Sequence, residues 1–128
     1  SSFSRNLRNE IKQNRKVYFY DNGLRNAVIG NFTPFDLRAD KGALWENFLA
    51  AERVKQLDYK QHHAHKYFWR TKQQQEVDWV EEIDGQLKAW EFKWKANKNV
   101  GSRTFENAYG TQIASVNREN FRDFVMQL

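Results

Sequence analysis

Residues 76–95 constrain the fold more than any other part of the chain, because they have the pattern of a tight β-hairpin. Two runs of alternating apolar and polar residues flank Asp84-Gly85, a dipeptide typical of two-residue hairpin turns. With these two residues as the loop, residues of the two strands face each other when they lie equally far from the loop. This register predicts that Asp78 lies directly opposite Glu91.

The same register separates the hairpin into two faces, because successive side chains of a strand point to opposite sides. The predicted apolar face has Trp79 opposite Trp90 and carries the following residues: Val77, Trp79, Trp90, Phe92 and Trp94. The predicted charged face carries the others: Glu76, Asp78, Glu91, Lys93 and Lys95.

The charged face has the composition of a site for phosphodiester chemistry. Asp78 and Glu91 bring two negative charges together, which destabilises a hairpin unless something compensates. A divalent cation with carboxylate ligands is one such compensation. Lys93, on the same face, supplies a positive charge where a phosphate binds. The layout suits metal-assisted hydrolysis. The alternative is that these residues are the solvated side of an ordinary hairpin.

Size and composition limit the class of protein. The chain has 128 residues, enough for one domain with a single core. It has no cysteine, which excludes disulfides and thiolate metal sites. The apolar runs are too short to span a membrane and the start lacks a secretory signal, so we expect a soluble cytoplasmic protein without a membrane partner. A net charge of +5 favours a polyanionic partner such as DNA.

The N-terminal residues 1–15 are polar and basic, and the chain begins with Ser1. Apolar residues recur here at helical spacing, at Phe3, Leu7 and Ile11. The spacing predicts a short amphipathic helix that links to a preceding domain. An alternative is an arm that faces nucleic acid through Arg5 and Arg8. No P-loop motif occurs, so the chain as it stands is not a P-loop ATPase.

Further elements follow in order. We predict a strand over 17–20, a short helix over 23–29 and a loop over 31–40. A strong helix runs from about Lys41 to Leu57 with Asp40 as its N-cap. The apolar residues of its predicted buried stripe are Leu44, Trp45, Phe48, Leu49, Ala51 and Val54. Glu46 borders that stripe, whereas Asn47, Arg53 and Lys55 are expected elsewhere around the helix.

The second half of the chain alternates strands and helices. A strand is predicted from Lys66 to Thr71, leading into the hairpin. A short helix capped by Ser102 is predicted through 105–109, then a buried strand over 112–116. Asn117 is the predicted cap of a last helix whose apolar residues are Phe121, Phe124, Val125 and Leu128. We predict no second domain.

Three histidines, His62, His63 and His65, lie close together before the first of these strands. Their spacing suggests a metal site, but no helix or further ligand fixes their geometry. A loop without metal is the favoured interpretation, and the role of the three residues stays open.

From Lys41 onward, the predicted order is helix, three antiparallel strands, helix, strand and helix. This order resembles the α-β-β-β-α-β core of the PD-(D/E)XK nuclease superfamily, also called restriction-endonuclease-like. The resemblance implies an α/β fold with a mixed central sheet flanked by helices. It also implies an active site made of Glu46, Asp78, Glu91 and Lys93, with Gln112 as a helper residue at the start of the last strand.

Five short motifs sharpen the resemblance. They lie at residues 16–26, 42–48, 67–71, 76–78 and 91–93. Together they resemble the C-terminal domain, long labelled as of unknown function, of bacterial and archaeal AAA-type ATPases. The resemblance implies that residues 16–128 form the nuclease-like domain and that residues 1–15 lead from a missing N-terminal ATPase module, which alone would bind ATP. Val77 departs from the pattern, because a proline commonly stands there.

The main functional expectation is a Mg²⁺- or Mn²⁺-dependent DNA endonuclease. Asp78 and Glu91, helped by Glu46, would bind the metal, and Lys93 would orient the attacking water. The residues expected to hold the DNA backbone are Arg70, Lys95, Arg5 and Arg8. The alternatives are a non-catalytic regulatory or partner-binding module that serves its ATPase, and a module that binds DNA without cleaving it.

Overall fold

A computed structural model of the chain describes residues 11–13, 40–61, 63–70, 76–96 and 103–126. Its elements in chain order are β1 (Ile11–Gln13), α1 (Lys41–Tyr59), β2 (His65–Arg70), β3 (Glu76–Ile83), β4 (Gln86–Phe92), α2 (Arg103–Tyr109), β5 (Ile113–Val116) and α3 (Phe121–Met126). The elements predicted over 17–39, together with Arg5, Arg8, His62, Ser102 and Leu128, lie outside the described residues.

The strands form one mixed sheet in the order β1-β2-β3-β4-β5. The first four strands pair with their neighbours in antiparallel fashion. From α1 onward, the order of helices and strands is the predicted one. The predicted α/β class is therefore confirmed, whereas the restriction-endonuclease-like fold stays a prediction.

The predicted hairpin turn is confirmed at Asp84-Gly85. Both residues have positive φ, 52° and 80°, as a type I′ turn requires at its two central positions. The register runs from Ile83↔Gln86 to Trp79↔Trp90, as the sequence predicts. The second strand ends sooner than expected, because β4 stops at Phe92 and the chain bends directly afterwards.

The contacts divide the chain into two compact units. The predicted organisation, with residues 1–15 as a linker and 16–128 as one domain, stays a prediction. Of the described residues, the first unit contains 11–13, 63–70, 76–91 and 103–115. Its core consists of buried residues from the sheet and α2: Trp69, Val77, Val80, Ala89, Phe105 and Ile113. The Trp69 and Phe105 rings meet edge to face at 5.3 Å, a favourable aromatic geometry.

Of the described residues, the second unit contains 40–61, 92–96 and 116–126. Its core is aromatic. Trp45 of α1 lies with its ring within 6 Å of three others, at centroid distances of 5.6 Å to Phe48, 5.1 Å to Trp94 and 5.3 Å to Phe121. The stripe prediction is correct for Trp45 and Phe48, which are buried, whereas Leu44 is only half-buried.

Arg53 and Asn47 correct the predicted helix stripe, because both are buried. Arg53 Nη1 donates a hydrogen bond to the Phe124 carbonyl at 2.8 Å, and its guanidinium lies 4.8 Å from the centre of the Phe124 ring. A cation can be buried when such contacts replace its hydration. Helical periodicity alone does not reveal them.

Three local predictions also need correction. Ile11 lies in a strand that pairs with β2 rather than in a helix. Asp40 precedes α1, but its side chain makes no capping hydrogen bond. The last helix begins at Phe121 rather than directly after Asn117, because residues 117–120 form a turn. None of the helices in the described residues combines the length and apolar character that crossing a membrane requires.

Candidate active site

Asp78 and Glu91 lie on the neighbouring strands β3 and β4, each one residue beyond the Trp79↔Trp90 pair. Both carboxylate side chains are half-buried. The confirmed register therefore leads up to these two residues, but the pairs themselves end at Trp79↔Trp90. The side-by-side placement of the two carboxylates stays a prediction.

A β-bulge lies in β3 at this same point. Tyr67 pairs with Val80 and Trp69 with Val77, so three steps along β3 match two steps along β2. Asp78 and Trp79 therefore lie together opposite a single residue of β2, and Val77 and Val80 on either side of them belong to the same core cluster. The predicted uninterrupted alternation of faces is wrong here. Bulges re-aim side chains and are frequent beside active sites.

Glu81 is a buried acid that has no distinctive signal in the sequence, because an acid in a strand of mixed polarity is typical of an ordinary solvated residue. It is 1% exposed, and its Oε1 accepts a hydrogen bond of 2.9 Å from the Trp79 indole nitrogen. Its backbone lies opposite Lys66 on β2 and Lys88 on β4. Glu81 thus holds the ring that follows Asp78 along the strand.

The backbone of Lys93 is fixed from two sides. Its N–H donates to the Val116 carbonyl at 2.9 Å, and its own carbonyl accepts a hydrogen bond of 2.8 Å from the Trp45 indole nitrogen. Trp45 is itself 1% exposed and packed among aromatic rings. The Lys93 side chain is exposed. Lys93 therefore projects from a well-anchored backbone, although it lies just past the end of β4.

Glu46 is half-buried on α1, next in sequence to Trp45. Both residues belong to the second unit, as does Lys93. Within that unit, the Trp45–Lys93 hydrogen bond ties the helical turn that carries Glu46 to the segment that carries Lys93. Asp78 and Glu91 belong to the first unit, and the assembly of all four residues into one site stays a prediction.

The remaining predicted site residues lie on both units. Gln112 is exposed and directly precedes β5, where Glu106 accepts a hydrogen bond from the Ile113 N–H at 3.1 Å. Arg70 ends β2, opposite Glu76. Lys95 is exposed in the bend after β4.

His63 and His65 are both exposed, the first in a loop and the second at the start of β2. Within the ranges that the structure describes, no group of three His, Asp or Glu side chains is placed to hold a metal ion. Mg²⁺ typically uses only one or two protein carboxylates and completes its octahedral coordination with water or phosphate oxygens. Asp78 and Glu91 are the pair whose chemistry and strand positions fit such a site.

Fold and sequence together define the class of protein as an α/β domain built on a mixed sheet, with a carboxylate-bearing hairpin at its centre. The chain belongs to the family described as "Domain of unknown function (DUF4143)", whose family model matches residues 41–124. This agrees with the predicted resemblance to a domain labelled as of unknown function. Neither the search of curated proteins nor that of solved structures finds a match to the chain.

Proposed function

We propose that this chain is a nuclease-like domain that hydrolyses phosphodiester bonds in DNA with Mg²⁺ or Mn²⁺, as the C-terminal part of an AAA-type ATPase. One observation carries the proposal: two half-buried carboxylates, Asp78 and Glu91, lie on adjacent strands, Asp78 directly before Trp79 and Glu91 directly after its partner Trp90. Carboxylates are the protein ligands that Mg²⁺ prefers, and one or two of them are enough for a site that water or phosphate oxygens complete.

Each residue has a distinct role in this proposal. Asp78 and Glu91 hold the metal, with Glu46 as an additional acid from α1. When bound, the metal activates a water and offsets the charge on the phosphate. Lys93 orients the attacking water and stabilises charge that develops on the phosphate oxygens. Gln112 contacts the same phosphate region.

The anchored backbone of Lys93 supports its part in this scheme. An exposed lysine on a mobile loop loses much of its side-chain entropy when it is positioned, and so contributes little. Here, hydrogen bonds with Val116 and Trp45 fix the peptide units on both sides of Lys93, which leaves only the side chain to be ordered. That is the preorganisation that catalysis of phosphoryl chemistry requires.

The test is metal-dependent nicking of supercoiled plasmid DNA, comparing the parent chain with Asp78→Asn and Glu91→Gln. Glu82→Gln is the matched control, because Glu82 is also a half-buried carboxylate of β3 but lies opposite Leu87. We expect nicking by the parent and the control, and none by the two site variants. Nicking that survives both site substitutions would refute the assignment of the two carboxylates.

Thermal melts with and without metal give a second readout that does not depend on cleavage. Metal at a hundred times its dissociation constant should stabilise the parent by about 2.7 kcal/mol. Asp78→Asn should abolish this gain and leave the metal-free protein no less stable, because it removes repulsion between the carboxylates. A parent whose melting midpoint does not move at millimolar Mg²⁺ or Mn²⁺ contradicts the metal site.

A second candidate function is a module that binds DNA or a protein partner without cleavage. It is favoured by one observation, that three metal-ligating side chains are not grouped together among the described residues. Reuse of an enzyme fold as a scaffold is common. This candidate predicts DNA binding in EDTA, or copurification with the ATPase module, together with no nicking at any metal concentration.

A further inference from the structure

We propose that Arg118, together with Lys93 and Lys95, binds the phosphate backbone of DNA, and that the turn at residues 117–120 serves to present Arg118. This inference deepens the proposed function and rests on it for the identity of the polyanion. Arg118 carries no signal in the sequence beyond its charge. The structure singles it out by its contacts within the second unit.

Arg118 is attached to the Lys93–Lys95 segment by its own backbone. The Arg118 N–H donates to the Trp94 carbonyl at 3.3 Å, and two residues earlier the Val116 carbonyl accepts from Lys93. Two stretches of chain held together in this way keep their cations close, because each hydrogen bond fixes the backbone from which a side chain departs. Three positively charged residues therefore depart from two backbone segments that are hydrogen-bonded to each other.

The side chain of Arg118 is also oriented. Its guanidinium lies 5.7 Å from the centre of the Trp94 ring, within the range of a cation–π contact. A cation–π contact uses none of the guanidinium N–H donors, and their planar fork matches phosphate oxygens bidentately. Arg118 is half-buried and Lys93 and Lys95 are exposed, so this surface of the unit combines an oriented cation with two accessible ones.

Hydrogen bonds of two asparagine side chains stabilise the turn that carries Arg118. Asn117 is 6% exposed, its Oδ1 accepts the Glu119 N–H at 2.9 Å, and its N–H donates to Asn120 Oδ1 at 2.8 Å. Asparagine side chains that bond to nearby backbone groups stabilise turns in this manner. The turn thus holds Arg118 in place without a helix or strand around it.

A phosphate backbone fits this surface better than an isolated anion does. Phosphates recur along a nucleic-acid strand, so several cations on one stretch of surface each find a partner and release counterions. Such contacts position the nucleic acid and do not read its sequence. We therefore expect Arg118 to affect affinity for all DNA sequences alike.

The experiment is fluorescence anisotropy with a labelled DNA duplex, in EDTA, over a series of KCl concentrations. Arg118→Gln should weaken binding for every duplex sequence and lower the slope of log K against log salt by about one. Arg118→Lys should retain most of the parent's slope, because the positive charge remains. Lys60→Gln is the matched control: it removes one charge from the same unit, where Lys60 lies 5.9 Å from the Tyr59 ring. The control should leave the slope unchanged.

The outcomes separate this inference from the proposed function. If the parent nicks plasmid but Arg118→Gln binds DNA with the parent's slope, the inference is overturned and catalysis stands. If the parent never nicks but Arg118→Gln lowers the slope, the inference stands and catalysis falls. If Arg118→Gln and Lys60→Gln lower the salt slope equally, the effect is one of net charge alone and the inference is overturned. If polyglutamate displaces the labelled duplex as well as unlabelled DNA of equal charge does, the assignment of this surface to phosphate is overturned. Melting midpoints of the variants should match that of the parent.

Discussion

Replacing Trp45 by phenylalanine tests how the second unit holds Lys93 in place. Trp45 is 1% exposed, and its indole nitrogen donates a hydrogen bond of 2.8 Å to the Lys93 carbonyl, across 48 residues of sequence. Phenylalanine keeps an aromatic ring in the cluster but has no N–H. The Lys93 carbonyl then loses its partner, while the Lys93 N–H can still donate to Val116.

The expected cost follows from the depth of this hydrogen bond. Leaving a buried acceptor without a partner costs about 1–3 kcal/mol. Because the Trp45–Lys93 bond is only part-buried, water can partly replace the donor, and we expect the lower half of this range, about 1–2 kcal/mol. For a chain of this size, each kcal/mol shifts the melting midpoint by about 4 °C, so the midpoint should fall by about 4–8 °C. Loss of the larger ring adds to this value.

Phe48→Leu is the matched control, because Phe48 is 4% exposed and its ring stacks on Trp45 at 5.6 Å. It perturbs the same cluster and leaves the indole donor in place. Amide hydrogen exchange separates the two variants: Trp45→Phe should speed exchange at Lys93 more than its loss of global stability explains, and Phe48→Leu should not. Equal exchange at Lys93 in the two variants, once corrected for stability, would refute the reasoning.

Three further predictions concern the hairpin turn and the buried charges. Gly85→Ala should destabilise the protein by about 1 kcal/mol, because Gly85 has a φ of 80°, whereas Gly42→Ala in α1 should stabilise it by about 0.5–1 kcal/mol. Arg53→Met should cost about 1.5–3 kcal/mol, because the Phe124 carbonyl loses a charged donor. Glu81→Leu should lower the free energy of unfolding by about 1–3 kcal/mol. Glu81→Gln should lower it less, because glutamine keeps an acceptor for the Trp79 indole. Urea melts measure all three.

The controls for these variants come from the same elements. An added Cβ meets no atom within 4 Å at either Gly42 or Gly85, so only backbone conformation separates the two glycine substitutions, and effects of the same sign would contradict the argument. Lys55→Met on α1 removes an exposed cation and should stay within about 0.5 kcal/mol of the parent. An Arg53→Met variant as stable as Lys55→Met would show that the buried bond to Phe124 contributes nothing. At Glu81, Gln and Leu variants of equal stability would exclude the hydrogen bond to the indole as the cause.

Local sequence preference was sufficient to predict the hairpin and most of the element order. Asp84-Gly85 tolerates positive φ at both positions, so the turn can be read from two residues, and the turn then fixes the register up to Trp79↔Trp90. The helix at Lys41–Tyr59 follows from periodicity in the same way. Asp78 and Glu91 became candidates for the same reason, since register is a property of the hairpin alone.

Features that depend on distant partners were decided by the tertiary structure. Ile11 is a strand residue because it pairs with Trp69. Arg53 can be buried because it donates a hydrogen bond to a carbonyl that is 71 residues away in the sequence. The bulge in β3 is a mismatch with β2 and has no signal in β3 by itself. The anchoring of Lys93 and the placement of Arg118 likewise require contacts between separate segments. A sequence pattern records each segment's own preference, whereas these contacts depend on which segments the fold brings together.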